Sequence, residues 1–261
     1  MSYLRALAFM LAMAFFVLLV APVQAVARRF DWPLQHRIQR FFCRTMCGVI
    51  GIEVAGEGAP GTPAGRLIVA NHVSWTDILA IASLHPCLFL AKAEVAAWPV
   101  LGFLAKIQGT IFVDRGKRSA IPAVNAALAE QLRAGRDVVV FAEGTSTDGG
   151  KVLKFNASHF AMLHDLAQDA AARDVLASPV AFAYAPRGRR AGPFDAGWYG
   201  DMSFLPHLWS LMRKGGARCE VLFGQSLVPA AFPDRKALAQ AAQQSVEGLL
   251  ERASARRAGG L

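Results

Sequence analysis

The stretch Leu67-Ile68-Val69-Ala70-Asn71-His72-Val73-Ser74-Trp75-Thr76-Asp77 decides how the rest of the chain is read. Four consecutive apolar residues bounded by polar ones have the length and character of a strand. A histidine and an acid follow directly. In open α/β sheets, ligands and reacting groups collect outside the carboxyl ends of the strands, so a base with an orienting carboxylate has chemical meaning at this point. Ser74 and Asp77 also have the spacing of a capping box, with Ser74 capping a helix and the acid reaching back to the cap's amide. His72 lies outside that box. Five residues on an ideal helix turn through roughly 140°, so His72 meets Asp77 only if His72 stays in the loop while Asp77 occupies the first helical turn. Capping supplies that geometry. An aspartate bonded to one imidazole nitrogen fixes the tautomer and leaves the other nitrogen to take a proton.

Outward from this stretch, short β-rich runs at 67–70, 87–91, 110–113, 138–141, 179–184 and 219–223 alternate with helical patterns. That rhythm predicts an α/β fold, a mostly parallel sheet flanked by helices. Residues 119–134 read as an amphipathic helix, and Gly135 as its left-handed stop. Glycine- and proline-rich segments at 56–65 and 186–193 read as surface loops, and 252–261 as a frayed basic tail. The expected division is N-terminal membrane-associated helices over 1–50, a catalytic domain over 51–251 and the tail.

A chain of 261 residues that is 54% hydrophobic can fill one core and still have apolar surface left over, which points to lipid. The formal net charge of +9 suits nucleic acid, anionic headgroups or an acidic carrier. No nucleic-acid-binding module accompanies it, so nucleic acid is not an expected partner. From 6 to 27 the chain is apolar apart from Gln24, long enough for a spanning helix, a helix lying in the interface or a secretory signal. Arg28, Arg29, Arg37, Arg40 and Arg44 follow, which by the positive-inside tendency puts the body on the cytoplasmic side of the inner membrane. Residues 30–49 suit an interfacial amphipathic helix or an ordinary core-facing one. Cys43, Cys47, Cys87 and Cys219 have neither metal-site spacing nor the look of a disulfide framework, so no metal is expected.

The polar residues fall at the ends of the runs. His72 follows the first, Lys92 and Glu94 the second, Asp114 and Arg115 the third, and Glu143, Gly144 and Thr145 the fourth. In a parallel sheet these four sets converge on one crevice. Individually each has a plainer reading: a solvated ion pair for Lys92 with Glu94, a surface feature for Asp114 with Arg115, a helix-start acid for Glu143. His36, His85, His159, His164 and His207 have no comparable context and read as surface or core residues. The chain lacks the Gly-x-Ser-x-Gly elbow of a serine hydrolase, and the glycine-rich run from Gly144 to Lys151 lacks the spacing of a phosphate loop.

In order and spacing, the blocks NHVSWTD, AKAE, GTIFVDR and FAEGTSTDG resemble the glycerolipid acyltransferases typified by bacterial 1-acylglycerol-3-phosphate acyltransferase, over roughly residues 66–184. The resemblance implies that His72 is the general base that deprotonates the acceptor hydroxyl and that Asp77 orients it. It implies acceptor-binding roles for Arg115, Glu143, Gly144 and Thr145, and matches Pro179 to the proline of the family's last block. It further implies an acyl-CoA or acyl carrier protein thioester as co-substrate, no bound cofactor, a lysolipid acceptor and the lipid bilayer as partner. The expected reaction is acylation of 1-acyl-sn-glycerol 3-phosphate to phosphatidic acid. Where the family commonly has Phe-Pro-Glu-Gly-Thr-Arg-Ser, this chain has Ala142 for the proline and Ser146 for the arginine. A cation for phosphate is therefore missing, for which Arg115, Lys151 or Lys154 are the substitutes. The segments at 152–160, 198–202 and 206–209 also resemble the branch that acylates lyso-ornithine lipid, the alternative acceptor. A rival of another class is a non-catalytic membrane lipid-binding protein. Backbone amides near Gly144 or at the helix start after Ser74 are the candidate oxyanion donors.

Overall fold

The computed structural model describes residues 2–58, 65–114, 116–169, 174–186, 196–214 and 216–259. Among these, β1 (Ile52–Glu57), β2 (Leu67–Ala70), β3 (Leu88–Lys92), β4 (Ile111–Val113), β5 (Val138–Phe141), β6 (Ala177–Pro186) and β7 (Ala217–Phe223) form one sheet in the order β1-β7-β6-β2-β5-β3-β4. Every neighbouring pair is parallel except β6 with β7. The expected fold class is the observed one, with β2 at the centre of the sheet.

Strand alternation assigns the two faces. Leu67, Val69, Val138 and Val140 join a core with Leu128, Leu132, Leu163, Leu166 and Val246. These come from α6 (Ile121–Arg133), α7 (Ala161–Gln168) and α9 (Arg235–Gly259). Ile68, Ala70, Val139 and Phe141 point the other way, against Met46, Ile50, Ile81, Leu208 and Leu211. Those belong to α3 (Leu34–Ile50), α4 (Thr76–Leu84) and α8 (Phe204–Arg213). Because helices cover both faces, the central strands are apolar throughout rather than alternating.

The structure bears on several of the sequence readings. β1 takes Gly56 out of the expected loop, and the end of the Leu84 side chain from α4 packs over this glycine, 2.9 Å from where a Cβ would lie. Most of the two expected loops, residues 59–64 and 187–195, lies outside the described residues. The tail is not frayed: α9 continues to Gly259, Ala253 is fully buried, and Arg256 pairs with Glu57. Burial of one apolar face extends the helix past the point where basic composition alone reads as a loose end. Helix α3 buries Cys43, Met46, Cys47 and Ile50, which is the core-facing reading of 30–49. Gly135 has φ +72°, the left-handed stop expected of it.

The apolar N-terminus forms a continuous helix over Tyr3–Arg29, long and apolar enough to cross a membrane. It comprises α1 (Ser2–Phe15), a π turn and α2 (Ala21–Arg29). Phe16, Ala21, Gln24 and Ala27 are buried on one side, while Leu4, Leu7, Leu11, Leu18 and Leu19 are exposed. Both ends are tied to the body. Arg5 Nη1 donates to the Met212 carbonyl at 3.3 Å, and Gln24 Nε2 donates to Gln108 Oε1 at 3.0 Å, at the end of α5 (Leu101–Gln108).

Candidate active site

Asn71 ends β2 by taking over the ladder. Its side chain accepts from Phe182 N at 2.8 Å and donates to Phe182 O at 3.1 Å, replacing the backbone pairing with β6 and freeing the chain to turn outward. The next residue is His72. Its Nδ1 lies 2.8 Å from Asp77 Oδ2, and its ring stacks on Phe141 with centroids 3.9 Å apart. The His72 side chain is 15% exposed and that of Asp77 is fully buried. With Nδ1 committed, Nε2 is the ring nitrogen without a partner among the described residues.

Asp77 is held on both oxygens. Oδ2 also accepts from the amides of Val73 at 2.8 Å and Ser74 at 3.0 Å, and Oδ1 accepts from Tyr184 Oη at 2.8 Å. Tyr184 Oη has a single hydrogen, so at its 2.8 Å contact with Thr76 Oγ1 the threonine donates. Burial, followed by the Asp77 carboxylate, holds the Tyr184 phenol well above its ordinary value and keeps it a neutral donor. A buried carboxylate with four donors cannot swing, and its imidazole is fixed with it.

Glu143 reaches the same point from β5. One oxygen accepts from His72 N at 2.7 Å and the other from Leu153 N at 2.7 Å, so the carboxylate joins the loop after β2 to the loop after β5. Burial raises its carboxyl above the usual range, while the two amides pull the other way. Thr147 N adds a 2.9 Å bond to the His72 carbonyl. An aromatic cluster packs on the segment that follows His72. Trp198 N donates to the Val73 carbonyl at 2.9 Å, Trp98 meets Trp198 and Phe204 edge-on or tilted, and Trp75 Nε1 donates to His207 Nδ1 at 3.1 Å.

The structure thus brings together His72, Asp77 and Glu143. Gly144 forms a turn, with φ +77° and its N–H on the Phe141 carbonyl, and Thr145 is exposed. Arg115 lies outside the described residues. Lys92 and Glu94 pair with each other at 3.0 Å, and Asp114 pairs with Lys117 at 3.4 Å; all four side chains are largely solvated, as the plainer reading had it. Ser74 does not cap α4. Its hydroxyl is buried and without a hydrogen-bond partner among the described residues. Half of the expected box is present: the Asp77 carboxylate accepts from the Ser74 amide at 3.0 Å, while the Asp77 amide that the serine oxygen would take bonds the Ser74 carbonyl at 3.0 Å. The Gly144 amide, one of the oxyanion candidates, is engaged by the Phe141 carbonyl. Sequence reasoning missed Asn71, Tyr184 and His207. For Tyr184 the one available signal was a phenol near the end of a strand predicted parallel to the one that carries the histidine.

This constellation is a histidine held by a fixed carboxylate at the carboxyl edge of a mostly parallel sheet, and the model of the family described as Acyltransferase matches residues 51–183. The chain belongs to the acyltransferase family. Among acyltransferases it is 34% identical over 247 residues to the lyso-ornithine lipid O-acyltransferase of Brucella abortus, covering 93% of this chain and 92% of the relative. It is 35% identical over 201 residues to the 1-acyl-sn-glycerol-3-phosphate acyltransferase of Neisseria gonorrhoeae, covering 77% and 75%. The crystal structure of the 1-acyl-sn-glycerophosphate acyltransferase PlsC from Thermotoga maritima shares the acyltransferase fold, with a TM-score of 0.64 and 19% identity over 98% of each chain.

Proposed function

We propose that this acyltransferase moves a fatty acyl group from a thioester donor to the free hydroxyl of lyso-ornithine lipid. The observation that carries the chemistry is the His72–Asp77 pair, whose geometry leaves Nε2 as the proton-accepting atom. Nε2 takes the hydroxyl proton as the oxygen attacks the thioester carbonyl. The tetrahedral intermediate collapses, the carbon–sulfur bond breaks, and the imidazolium returns the proton to the departing thiolate. Base catalysis of this kind contributes about 10²- to 10⁴-fold. Asp77 orients the ring, and Tyr184 and Glu143 hold Asp77 and the His72 backbone in place. Gly144, Thr145 and Arg115 contribute to the acceptor site, and the donor is acyl-CoA or acyl carrier protein.

Two observations favour the ornithine acceptor: Ser146 stands where a phosphate-binding arginine is common, and the Brucella relative matches the chain over more of its length. The Neisseria relative supports a second reading, acylation of 1-acyl-sn-glycerol 3-phosphate, with Arg115 as the phosphate cation. The apolar helix, tied to the body near both Arg5 and Gln24, lies in the bilayer interface and turns its exposed leucines to lipid. The basic residues after it hold the body on the cytoplasmic side. Purified protein offered both lysolipids in parallel, with each donor, tests the reading: faster acylation of lyso-ornithine lipid supports it, and a preference for the phosphate acceptor replaces it with the second.

A further inference from the structure

A cavity of about 180 Å³ lies at the amino end of the sheet, opposite His72, between α2, the start of α3 and the approach to β5. It is smaller than the roughly 300–1,000 Å³ of a pocket for a drug-sized ligand, and Gln24, Arg28, His36 and Arg136 are among its lining residues.

Two groups in it lack hydrogen-bond partners. The Arg28 guanidinium makes no hydrogen bond or close ion pair among the described residues and feels the Asp31 carboxylate only at longer range. It lies over Gly109, where a Cβ would fall 1.8 Å from Nη2, so the missing side chain makes its berth. Gln24 is 3% exposed, and its Oε1 has no partner while its Nε2 bonds Gln108. Rotating both amides together preserves that bond and turns the unpartnered atom of Gln24 into a donor. Arg136 adds a second guanidinium, pairing with the largely exposed Asp31 at 3.1 Å. Asp137 also lines the cavity, but its carboxylate is engaged by His85 and the Arg66 amide. His36 is held below its ordinary value, first by burial and then, against the pull of Asp31, by Arg136, Arg28 and Arg40. Cations outnumber free carboxylates here, and guanidinium forks match phosphate oxygens two at a time.

The surroundings indicate where the phosphate comes from. The lipid-facing stripe of the N-terminal helix ends at this cavity, and Phe30 and Trp32, exposed and stacked 5.7 Å apart, follow at once. Aromatic residues beside arginines mark headgroup depth. We infer that the Arg28–Arg136 cavity binds a phosphate oxyanion, that of an anionic lipid headgroup, and so fixes the anchor helix against the body at a site separate from acyl transfer.

The test reads binding alone, so its outcome is independent of the proposed reaction. Full-length protein in neutral detergent is titrated with short-chain phosphatidylglycerol, phosphatidylcholine and inorganic phosphate, and bound equivalents are counted by native mass spectrometry. One saturable equivalent of phosphatidylglycerol is expected. Arg28→Gln should weaken it roughly tenfold or more, Arg28→Lys less, and Arg252→Gln on exposed α9 not at all. Displacement of the lipid by inorganic phosphate at comparable concentration would keep the site and make free phosphate its ligand. Equal affinity in wild type and Arg28→Gln, or binding that never saturates, overturns the proposal. Should Arg28→Gln fail to fold, phenylglyoxal labelling of wild-type Arg28 decides: protection by phosphatidylglycerol or phosphate supports the site, and equal labelling with and without them refutes it.

Discussion

Among the described residues two histidine–aspartate pairs stand at opposite ends of the same sheet, and they differ in which ring nitrogen is bound. At the carboxyl edge, His72 offers Nδ1 to Asp77 and leaves Nε2 for the proposed proton transfer, with the side chain 15% exposed. At the amino edge, His85 uses Nε2, 2.6 Å from Asp137, and its side chain is 7% exposed. Asp137 also accepts from Arg66 N at 2.8 Å, so this pair ties the end of α4 to the starts of β2 and β5. In the proposed reaction, two identical residue types become a base or a brace according to which ring nitrogen is bound and what the other one faces.

The comparison breaks most sharply by removing each histidine. His72→Ala should lower the acyl-transfer rate by about 10²- to 10⁴-fold while leaving the melting temperature within a few degrees. His85→Ala should do the reverse. Losing one partner of a buried pair costs about 3–5 kcal/mol, on the order of 10 °C in a chain of this size, while the protein that remains folded keeps its turnover rate. Calorimetry and initial rates on the two purified variants check both halves. Equal loss of activity in the two would erase the distinction.

Tyr184→Phe sharpens the first pair. It removes one of four donors to Asp77 and leaves the ring volume in place, so turnover should fall by roughly 10-fold, the worth of a hydrogen bond to a charged group. The Michaelis constant for the lysolipid should stay unchanged, because Tyr184 holds the orienter and touches no substrate. A rise in that constant with unaltered turnover would place Tyr184 in the acceptor site instead.

How much of this the sequence carried depends on how local the physics was. The apolar run at 67–70, the turn after it and the His72–Asp77 contact lie within eleven residues, so strand length and helix geometry predict them together. Glu143 was found by its block, but its action on the His72 and Leu153 amides was not, because that bond closes only when β2 and β5 align. Tyr184 meets Asp77 across 107 residues and His85 meets Asp137 across 52, contacts set by strand order rather than by any spacing in the chain. The Ser74 cap failed for a local reason: the Asp77 amide that its hydroxyl would take bonds the Ser74 carbonyl instead, although the carboxylate reaches back to the Ser74 amide as expected.

The smallest expected effect concerns the interior that both pairs share. Cys43, Cys47, Cys87 and Cys219 are all buried, and burial pushes the Cys47 thiol up to about 12. Below that pH the native protein should react with none of its four thiols on the timescale of an Ellman assay, and denaturant should release all four. Fast modification of the native protein would mean that the core on the α3 face opens.

The central claim is tested most directly by chemical rescue of His72→Ala with free imidazole, read as kcat/KM for acyl transfer. If Nε2 of His72 is the proton acceptor, imidazole entering the space left by the ring should restore part of the lost rate in a saturable way and leave wild type unchanged. A variant that keeps the wild-type rate without imidazole would assign the proton acceptor to another group and contradict the account.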